Sequence, residues 1–152
     1  MMLREALVSE AEELSQLALD SKATWDYDEA FILACKEDLT INQAYIEKNH
    51  VYVLEKEGRV IGFFSFVRKE LDSLDFLYMH RDYKGQGYGS ILWSFVKEKA
   101  IELGIDKFTI DSDPHAKGFY LKMGARQIGE IPSTVWKDRV LPLLQFELKA
   151  FE

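Results

Sequence analysis

A glycine-rich loop is the part of this chain whose residue types and spacing most directly predict chemistry. Glycine recurs at 85, 87 and 89, between a strand-like run at residues 74–79 and a helical apolar pattern at residues 91–103. Glycine permits unusual backbone angles, so neighbouring N–H groups can point into one concavity, and a helix N-terminus adds partial positive charge. The loop therefore predicts a phosphate or pyrophosphate site, with an ordinary glycine-rich turn as the alternative.

The glycine spacing separates this loop from two better-known phosphate-binding motifs. A dinucleotide fingerprint requires Gly-x-Gly-x-x-Gly and a P-loop ends in Gly-Lys-Ser/Thr, whereas this loop ends in Gly-x-Gly-x-Gly-Ser. A second pattern, Asp-Pro-His-Ala-Lys-Gly-Phe-Tyr-Leu-Lys-Met-Gly, lies downstream at residues 113–124. Alone, it is typical of a short helix whose aromatic residues pack in a core.

Together, the two patterns resemble the GNAT-type N-acetyltransferase superfamily. The acetyl-CoA loop of that family, Gln/Arg-x-x-Gly-x-Gly/Ala, matches residues 84–89, and its later motif, Asn-x-x-Ala-x-x-Phe-Tyr-x-Lys-x-Gly, matches residues 113–124. Residues 77–83 also resemble the strand that leads into the family's loop. Two positions depart from the pattern, because Lys84 replaces Gln or Arg and Asp113 replaces Asn.

The resemblance implies a fold and a set of cofactor contacts. The fold is a single α/β (α+β) domain over residues 1–152, with a mixed central sheet of about seven strands flanked by about four helices. The sheet is expected to splay between the strands that end near Met79 and Asp111. The resemblance implies that acetyl-CoA, the cosubstrate, contacts Leu77, Tyr78, Met79, Lys84, Gly85, Gln86, Gly87, Tyr88, Gly89, Ser90, Asp113, Ala116, Phe119 and Tyr120.

The reaction that the resemblance implies is direct transfer of an acetyl group to the amine of a small molecule or peptide. Tyr120 is then the expected general acid, because a phenol of pKa near 10 suits a departing thiol of pKa near 8.5. The acceptor must attack as a neutral amine, and Asp75 is the candidate base. Other candidate bases are Asp72, Asp111 and His115. The residues expected to wall the acceptor pocket are Trp25, Tyr27 and Trp136.

Two other functions fit parts of the same pattern. A module that binds or senses acyl-CoA without catalysis would keep the loop, and the Asp113 departure favours it. An unrelated nucleotide-phosphate binder would also use a glycine-rich loop before a helix. We expect competition between nucleotides and CoA to separate the last possibility from the others.

The elements that must position these residues follow from periodicity and turn residues. The strands are expected at residues 3–8, 50–57, 60–67, 70–79, 107–111, 125–131 and 141–148. Ser9 with Glu12 should cap the first helix, Asp28 the second and Thr40 a third. The strand at 107–111 should run parallel to the strand ending at Met79, because a helix connects them. The glycine loop then lies at the carboxyl end of a strand, where open sheets bind ligands.

Composition limits the classes of partner. The chain has 152 residues and a net charge of −7, so we expect one domain, and we expect nucleic acid not to be its partner. We find no apolar run of 18 residues and no signal-peptide pattern, so no membrane partner is expected. The single cysteine, Cys35, favours a reducing cytoplasm. We expect no metal site, and a homodimer is compatible with the resemblance.

Overall fold

The computed structural model describes residues 1–136 and 138–148, and its described part contains seven strands and five helices. The strands are β1 (Met2–Glu5), β2 (His50–Lys56), β3 (Arg59–Val67), β4 (Ser73–Met79), β5 (Lys107–Asp111), β6 (Arg126–Pro132) and β7 (Val140–Glu147). The helices are α1 (Ala11–Lys22), α2 (Glu29–Cys35), α3 (Gln43–Lys48), α4 (Tyr88–Glu102) and α5 (Lys117–Lys122). The expected mixed α/β fold is confirmed, with one helix more than expected.

The seven strands form one sheet in the order β1-β2-β3-β4-β5-β7-β6. Every neighbouring pair is antiparallel except β4 and β5, which are parallel and share a single residue pair, Ser73 with Thr109. The Thr109 N–H also donates to the Asp72 carbonyl at 3.0 Å. Beyond this point the two strands no longer pair, so the sheet opens toward Met79 and Asp111, as expected.

A hydrophobic core lies on each face of the sheet. Trp93 of α4 packs against Phe108 and Phe146 on one face, and all three side chains are buried. On the other face, α1–α3 cover the sheet, and Leu14 and Phe31 pack in the cluster that contains buried residues of β2, β3 and β4. Burying one such side chain stabilises a fold by about 1.5–3 kcal/mol. In the part of the chain that the structure describes, no helix is long and apolar enough to cross a membrane.

The start of α1 differs from the expected one. The first strand ends at Glu5, Val8 lies in a 3-10 turn (Val8–Glu10), and α1 begins at Ala11. The expected cap by Ser9 with Glu12 is therefore wrong. Instead, the Leu7 N–H donates to Glu10 Oε1 at 2.8 Å, because the 3-10 turn brings Glu10 back over the entering backbone.

Of the next two helix caps, one is the expected residue and the other is not. Asp28 caps α2 as expected, accepting the Phe31 N–H at 2.8 Å. The cap of α3 is Asn42, which accepts the Tyr45 N–H at 2.8 Å, rather than Thr40. The Thr40 hydroxyl instead donates to a carbonyl one turn earlier, at Lys36. Both residue types suit an N-cap, so sequence alone does not separate them.

Candidate active site

A cleft of about 250 Å³ opens where β4 and β5 separate. One wall is the end of β4, contributed by Leu77, Tyr78 and Met79, and a second is the glycine loop with Lys84, Gly85 and Gly89. The third wall is the segment leading into and through α5, with Ala116, Phe119 and Tyr120. Trp25, expected to wall the acceptor pocket, lines this cleft as well. The two motifs thus face each other across one cavity.

The glycine loop has the backbone geometry of an anion site. Gly85 and Gly87 have φ angles of +75° and +88°, a region that side chains rarely adopt, and Gly87 directly precedes α4. Among the described residues, the N–H groups from Lys84 to Gly87 have no hydrogen-bond acceptor. A Cβ added at Gly85 or Gly87 would meet nothing within 4 Å. Unpaired donors, open space and a helix N-terminus together fit a phosphate.

Gly89 has a different reason to be glycine. A Cβ at this position would lie 3.1 Å from Phe119 Cε1, closer than ordinary van der Waals contact. The missing side chain lets the start of α4 press against the Phe119 ring of α5. One glycine of the loop therefore positions the second motif, while two others shape the backbone.

Tyr120 has the properties of a proton donor at the cleft. Its side chain is buried against the Trp93 and Phe119 rings, and no described residue hydrogen-bonds its hydroxyl. Burial raises the pKa of Tyr120 above its ordinary value, and the negative charge of Asp113 raises it further. The phenol is therefore protonated throughout the physiological pH range.

Asp113 is the centre of a charged cluster beside the cleft. Its carboxylate is 7% exposed and accepts hydrogen bonds from the Tyr27 hydroxyl at 2.8 Å and the His115 N–H at 2.8 Å. Lys22 Nζ lies 3.3 Å from it and Arg139 Nη2 lies 3.8 Å away. Burial alone would raise the pKa of Asp113, but the His115 N–H, the Tyr27 hydroxyl and the Lys22 charge together hold it below its ordinary value.

Asp113 was expected to contact acetyl-CoA, but its side chain belongs to this charged cluster. The carboxylate does not line the cleft; it joins α1, the α1–α2 connection and the β6–β7 loop. Tyr27, expected in the acceptor pocket, is a member of the cluster. Lys22 and Arg139 were not among the candidate residues, and they lie in no motif that would have identified them.

Lys84 and Trp25 connect the glycine loop to the α1–α2 connection. Lys84 Nζ donates to Thr24 Oγ1 at 2.6 Å and lies 4.4 Å from the centre of the Trp25 ring. The opposite face of the cleft supplies His115, whose ring stacks on Trp25 with centroids 5.5 Å apart. Burial lowers the pKa of Lys84, against the opposing effect of Asp113. The ammonium expected near phosphate thus contacts Thr24 in this structure.

Three loop residues that were expected to contact the cofactor do not line the cleft. Gln86 Nε2 donates to the Asp82 carbonyl at 2.8 Å, and the Tyr88 hydroxyl accepts from Lys56 Nζ at 2.8 Å. Ser90 lies in the first turn of α4 and outside the cleft lining. Among these three residues, Gln86 contributes one of the loop N–H groups that have no acceptor in the described part of the chain.

Asp75 and Trp136 are not brought into the cleft lining. Asp75 is exposed on β4, and its carboxylate accepts a hydrogen bond from the Tyr45 hydroxyl on the side of the sheet that carries α3. Trp136 lies in the β6–β7 loop, 45% exposed, and its ring packs edge-on against Phe31 with centroids 4.9 Å apart. Each side chain therefore lies beside the cleft region and outside the cavity that contains Tyr120.

The comparisons with known proteins agree with this geometry. The profile of the family described as acetyltransferase (GNAT) domain matches residues 10–134. The chain belongs to the GNAT acetyltransferase family. The expectation drawn from the two motifs is therefore confirmed at the level of family, fold and acyltransferase activity.

The similar proteins share the family and much of the chain length. The 5-NmdU N-acetyltransferase of Pseudomonas phage PaMx11 is 26% identical over 136 residues, covering 85% of this chain and 89% of the relative. A GCN5-related N-acetyltransferase of Rhodopseudomonas palustris has a TM-score of 0.78 at 22% identity, covering 97% and 95% of the two chains. The PaiA N-acetyltransferase of Thermoplasma acidophilum, in complex with coenzyme A, has a TM-score of 0.74 at 16% identity, covering 96% and 98%.

Proposed function

We propose that this protein is an N-acetyltransferase that moves an acetyl group from acetyl-CoA to a primary amine by direct attack. The observation that carries the proposal is the meeting, in one cleft, of the glycine loop, the unpaired edge of β4 and the Tyr120 hydroxyl. Structural neighbours that contain coenzyme A or acetyl-CoA support the choice of cosubstrate.

The described residues fit acetyl-CoA in two respects. The N–H groups of the glycine loop suit a pyrophosphate, since they are unpaired and lie at the start of α4. Past Ser73, β4 has no backbone partner on the β5 side in the part of the chain that the structure describes, so its edge can pair with the amides of a pantetheine arm as an added strand would. When bound, acetyl-CoA supplies an activated acetyl thioester.

Tyr120 performs the acid step in this proposal. Its buried phenol keeps its proton at physiological pH and lines the cleft, so it can protonate a departing thiolate. A backbone N–H at the splayed edge of β4 is suited to polarise the carbonyl under attack. Asp75 stays a prediction as base, and its position outside the cleft lining requires a water chain for that role.

The acceptor is a primary amine of a small molecule or peptide. Aromatic rings border the region beside the cleft, with Tyr27 and Trp136 both packed on Phe31. The PaMx11 relative is named for 5-NmdU, so this compound belongs in any test panel. A useful panel contains 5-NmdU, phenethylamine, spermidine and a peptide with an N-terminal alanine.

Assembly and location complete the proposal. We propose a cytoplasmic enzyme with no nucleic-acid or membrane partner. For its assembly, we propose a homodimer. Light scattering after gel filtration measures the molar mass against 17.6 kDa for one chain.

Calorimetric titration of acetyl-CoA tests the cofactor site. Gly87→Glu places a carboxylate among the loop N–H groups and should abolish binding. Gly104→Glu is the matched control, because Gly104 has a φ of +74° and equal open space just past the other end of α4. Equal loss of binding in both variants, or no binding by the wild type, would reject the site.

Turnover tests the reaction. Tyr120→Phe should lower kcat by about 10²-fold or more while acetyl-CoA still binds, because only the proton donor is removed. Unchanged kcat would reject the acid role. Full acetyl-CoA affinity without turnover of any panel amine would instead favour the sensing module, for which the carboxylate at Asp113 is the supporting feature.

A further inference from the structure

We propose that His115 is the general base of this reaction and that Asp113 is the positioning residue that holds it in its basic tautomer. The inference rests on the proposed function, since it names the group that receives the acceptor's proton. It differs from the sequence-based choice of Asp75. It also gives a reason for a carboxylate at the position where the family motif has Asn.

The hydrogen bonds around the imidazole identify the protonated nitrogen. His115 Nδ1 lies 3.1 Å from Asp113 Oδ1 and 3.1 Å from the Tyr27 hydroxyl oxygen. A carboxylate only accepts hydrogen bonds, so the bond to Asp113 requires a proton on Nδ1. In the neutral imidazole, Nε2 then carries the free lone pair. No described residue hydrogen-bonds Nε2.

The neighbours of Asp113 favour its ionised form, in which the carboxylate only accepts hydrogen bonds. Arg139 Nη2 donates to the Tyr27 hydroxyl oxygen, and this hydroxyl donates to Asp113. Lys22 Nζ adds a positive charge at 3.3 Å. The low pKa of Asp113 agrees with this arrangement. An amide at this position could donate as well as accept, so it would not force the same tautomer.

The position of the ring gives it access to substrate. His115 lines the cleft that also contains Tyr120, and its side chain is 39% exposed. Stacking on Trp25 and the two Nδ1 contacts hold the ring from one face and one edge. Imidazole as a side-chain type titrates near neutral pH, the range in which a general base works best.

The proton balance of the step is complete. The amine lone pair forms the new N–C bond as the C–S bond breaks. His115 Nε2 takes the surplus proton of the amine nitrogen, and Tyr120 Oη gives its proton to the thiolate. Exchange with water then returns a proton to Tyr120 and removes one from His115, so both groups regain their starting states.

The tautomer is measured first and needs no substrate. Nitrogen-15 chemical shifts of the three histidines, assigned with His→Gln variants, should show His115 protonated at Nδ1 above neutral pH. Asp113→Asn should convert part or all of His115 to the Nε2–H form. A wild-type protein with Nε2–H at His115 would overturn the inference whatever its activity.

Kinetics test the chemical role, using each panel amine that the wild type acetylates. His115→Gln should lower kcat/KM by about 10²-fold at pH 7. This deficit should shrink as pH rises, because a free alkylamine of pKa near 10 then loses its proton to solvent. Asp113→Asn should show the same pH-dependent deficit. The charged or titratable groups around the ring are Asp113, Tyr27, Lys22, Arg139 and Lys84. The pKa of Asp113 is lowered and that of Tyr27 is raised, so neither of these two groups changes its charge between pH 7 and 9.

Controls separate the possible failures. His50→Gln should leave kcat/KM unchanged, since His50 begins β2 and does not line the cleft. Thermal unfolding and acetyl-CoA titration of His115→Gln check that the fold and cofactor site persist. If His115→Gln keeps wild-type kcat/KM, or its deficit is equal at pH 7 and 9, the base assignment is wrong while the proposed function stands. If the wild type acetylates no panel amine, both fall.

Discussion

Removal of the Asp113 carboxylate should destabilise the protein by roughly 2–4 kcal/mol at neutral pH. Breaking a buried ion pair by removing one partner typically costs about 3–5 kcal/mol, because the other charge is left without compensation. We reduce this range because the Lys22 and Arg139 side chains are 13% and 21% exposed, so both regain some hydration. Asp113→Ala is the variant, since alanine removes the carboxylate oxygens that accept hydrogen bonds from Tyr27 and His115.

The effect of Asp113 should depend on pH with a defined sign. Its pKa in the folded protein lies below the ordinary value, so the carboxylate stabilises the fold fully above about pH 4, the unfolded-state value. That stabilisation is lost as pH falls through the folded-state pKa. The difference between wild type and Asp113→Ala should therefore shrink between pH 5 and pH 3.

Urea unfolding followed by fluorescence at pH 7, 5 and 3 measures this difference. Asp26→Ala is the control, because Asp26 is an exposed aspartate of the same α1–α2 connection whose side chain makes no hydrogen bond or ion pair with the described residues. We expect it to change the free energy of unfolding by less than about 0.5 kcal/mol. A loss in Asp113→Ala that is equal at all three pH values, or no larger than in Asp26→Ala, would refute the reasoning.

Three further predictions concern the loop, the core and the acid. Gly87→Ala and Gly58→Ala should each cost about 1–2 kcal/mol in urea unfolding, because both φ angles are positive; equal stability to wild type would contradict this. Trp93→Ala should cost about 3–5 kcal/mol by the same measurement, since the side chain is 2% exposed in the core. Because its pKa is raised, Tyr120 should stay protonated up to pH 10. Any decline in kcat that the wild type shows up to pH 10 should therefore also appear in Tyr120→Phe.

Sequence was sufficient for the parts of this protein that are local in the chain. The glycine loop and the second motif each span about a dozen residues or fewer, so their composition and spacing were enough to identify the family. The parallel direction of β4 and β5 was also predictable, because a helix connects the two strands, whereas the splay between them followed only from the family resemblance.

The Asp113 cluster could not be predicted from the sequence. Lys22 and Tyr27 lie near the start of the chain and Arg139 near its end, and they meet Asp113 only when both regions fold onto the sheet. No spacing rule joins residues so far apart. The motif alone showed only that Asp113 stands where the family has Asn, whereas the contacts of Asp113 lead to the proposal that its charge orients His115.

The surroundings of Asp75, the candidate base from the sequence, could not be predicted for a related reason. Strand periodicity placed it before the loop, but a strand pattern does not show which nearby side chain will satisfy a carboxylate. Here the register of β3 and β4 shifts between Ser65 and Phe66, and Tyr45 of α3 supplies the hydrogen bond to Asp75. A bulge of this kind leaves little signal in a single sequence.

The single residue pair between β4 and β5 has a mechanical consequence. The two halves of the sheet are joined across this seam mainly by side chains, such as the Phe66 and Phe108 rings with centroids 5.2 Å apart. A row of backbone hydrogen bonds would fix the distance between two strands, whereas packed rings set it by their size. Both rings lie beside the paired end of the seam and outside the cleft lining, so substitutions at these two core positions alter the spacing of the strands where the sheet begins to open.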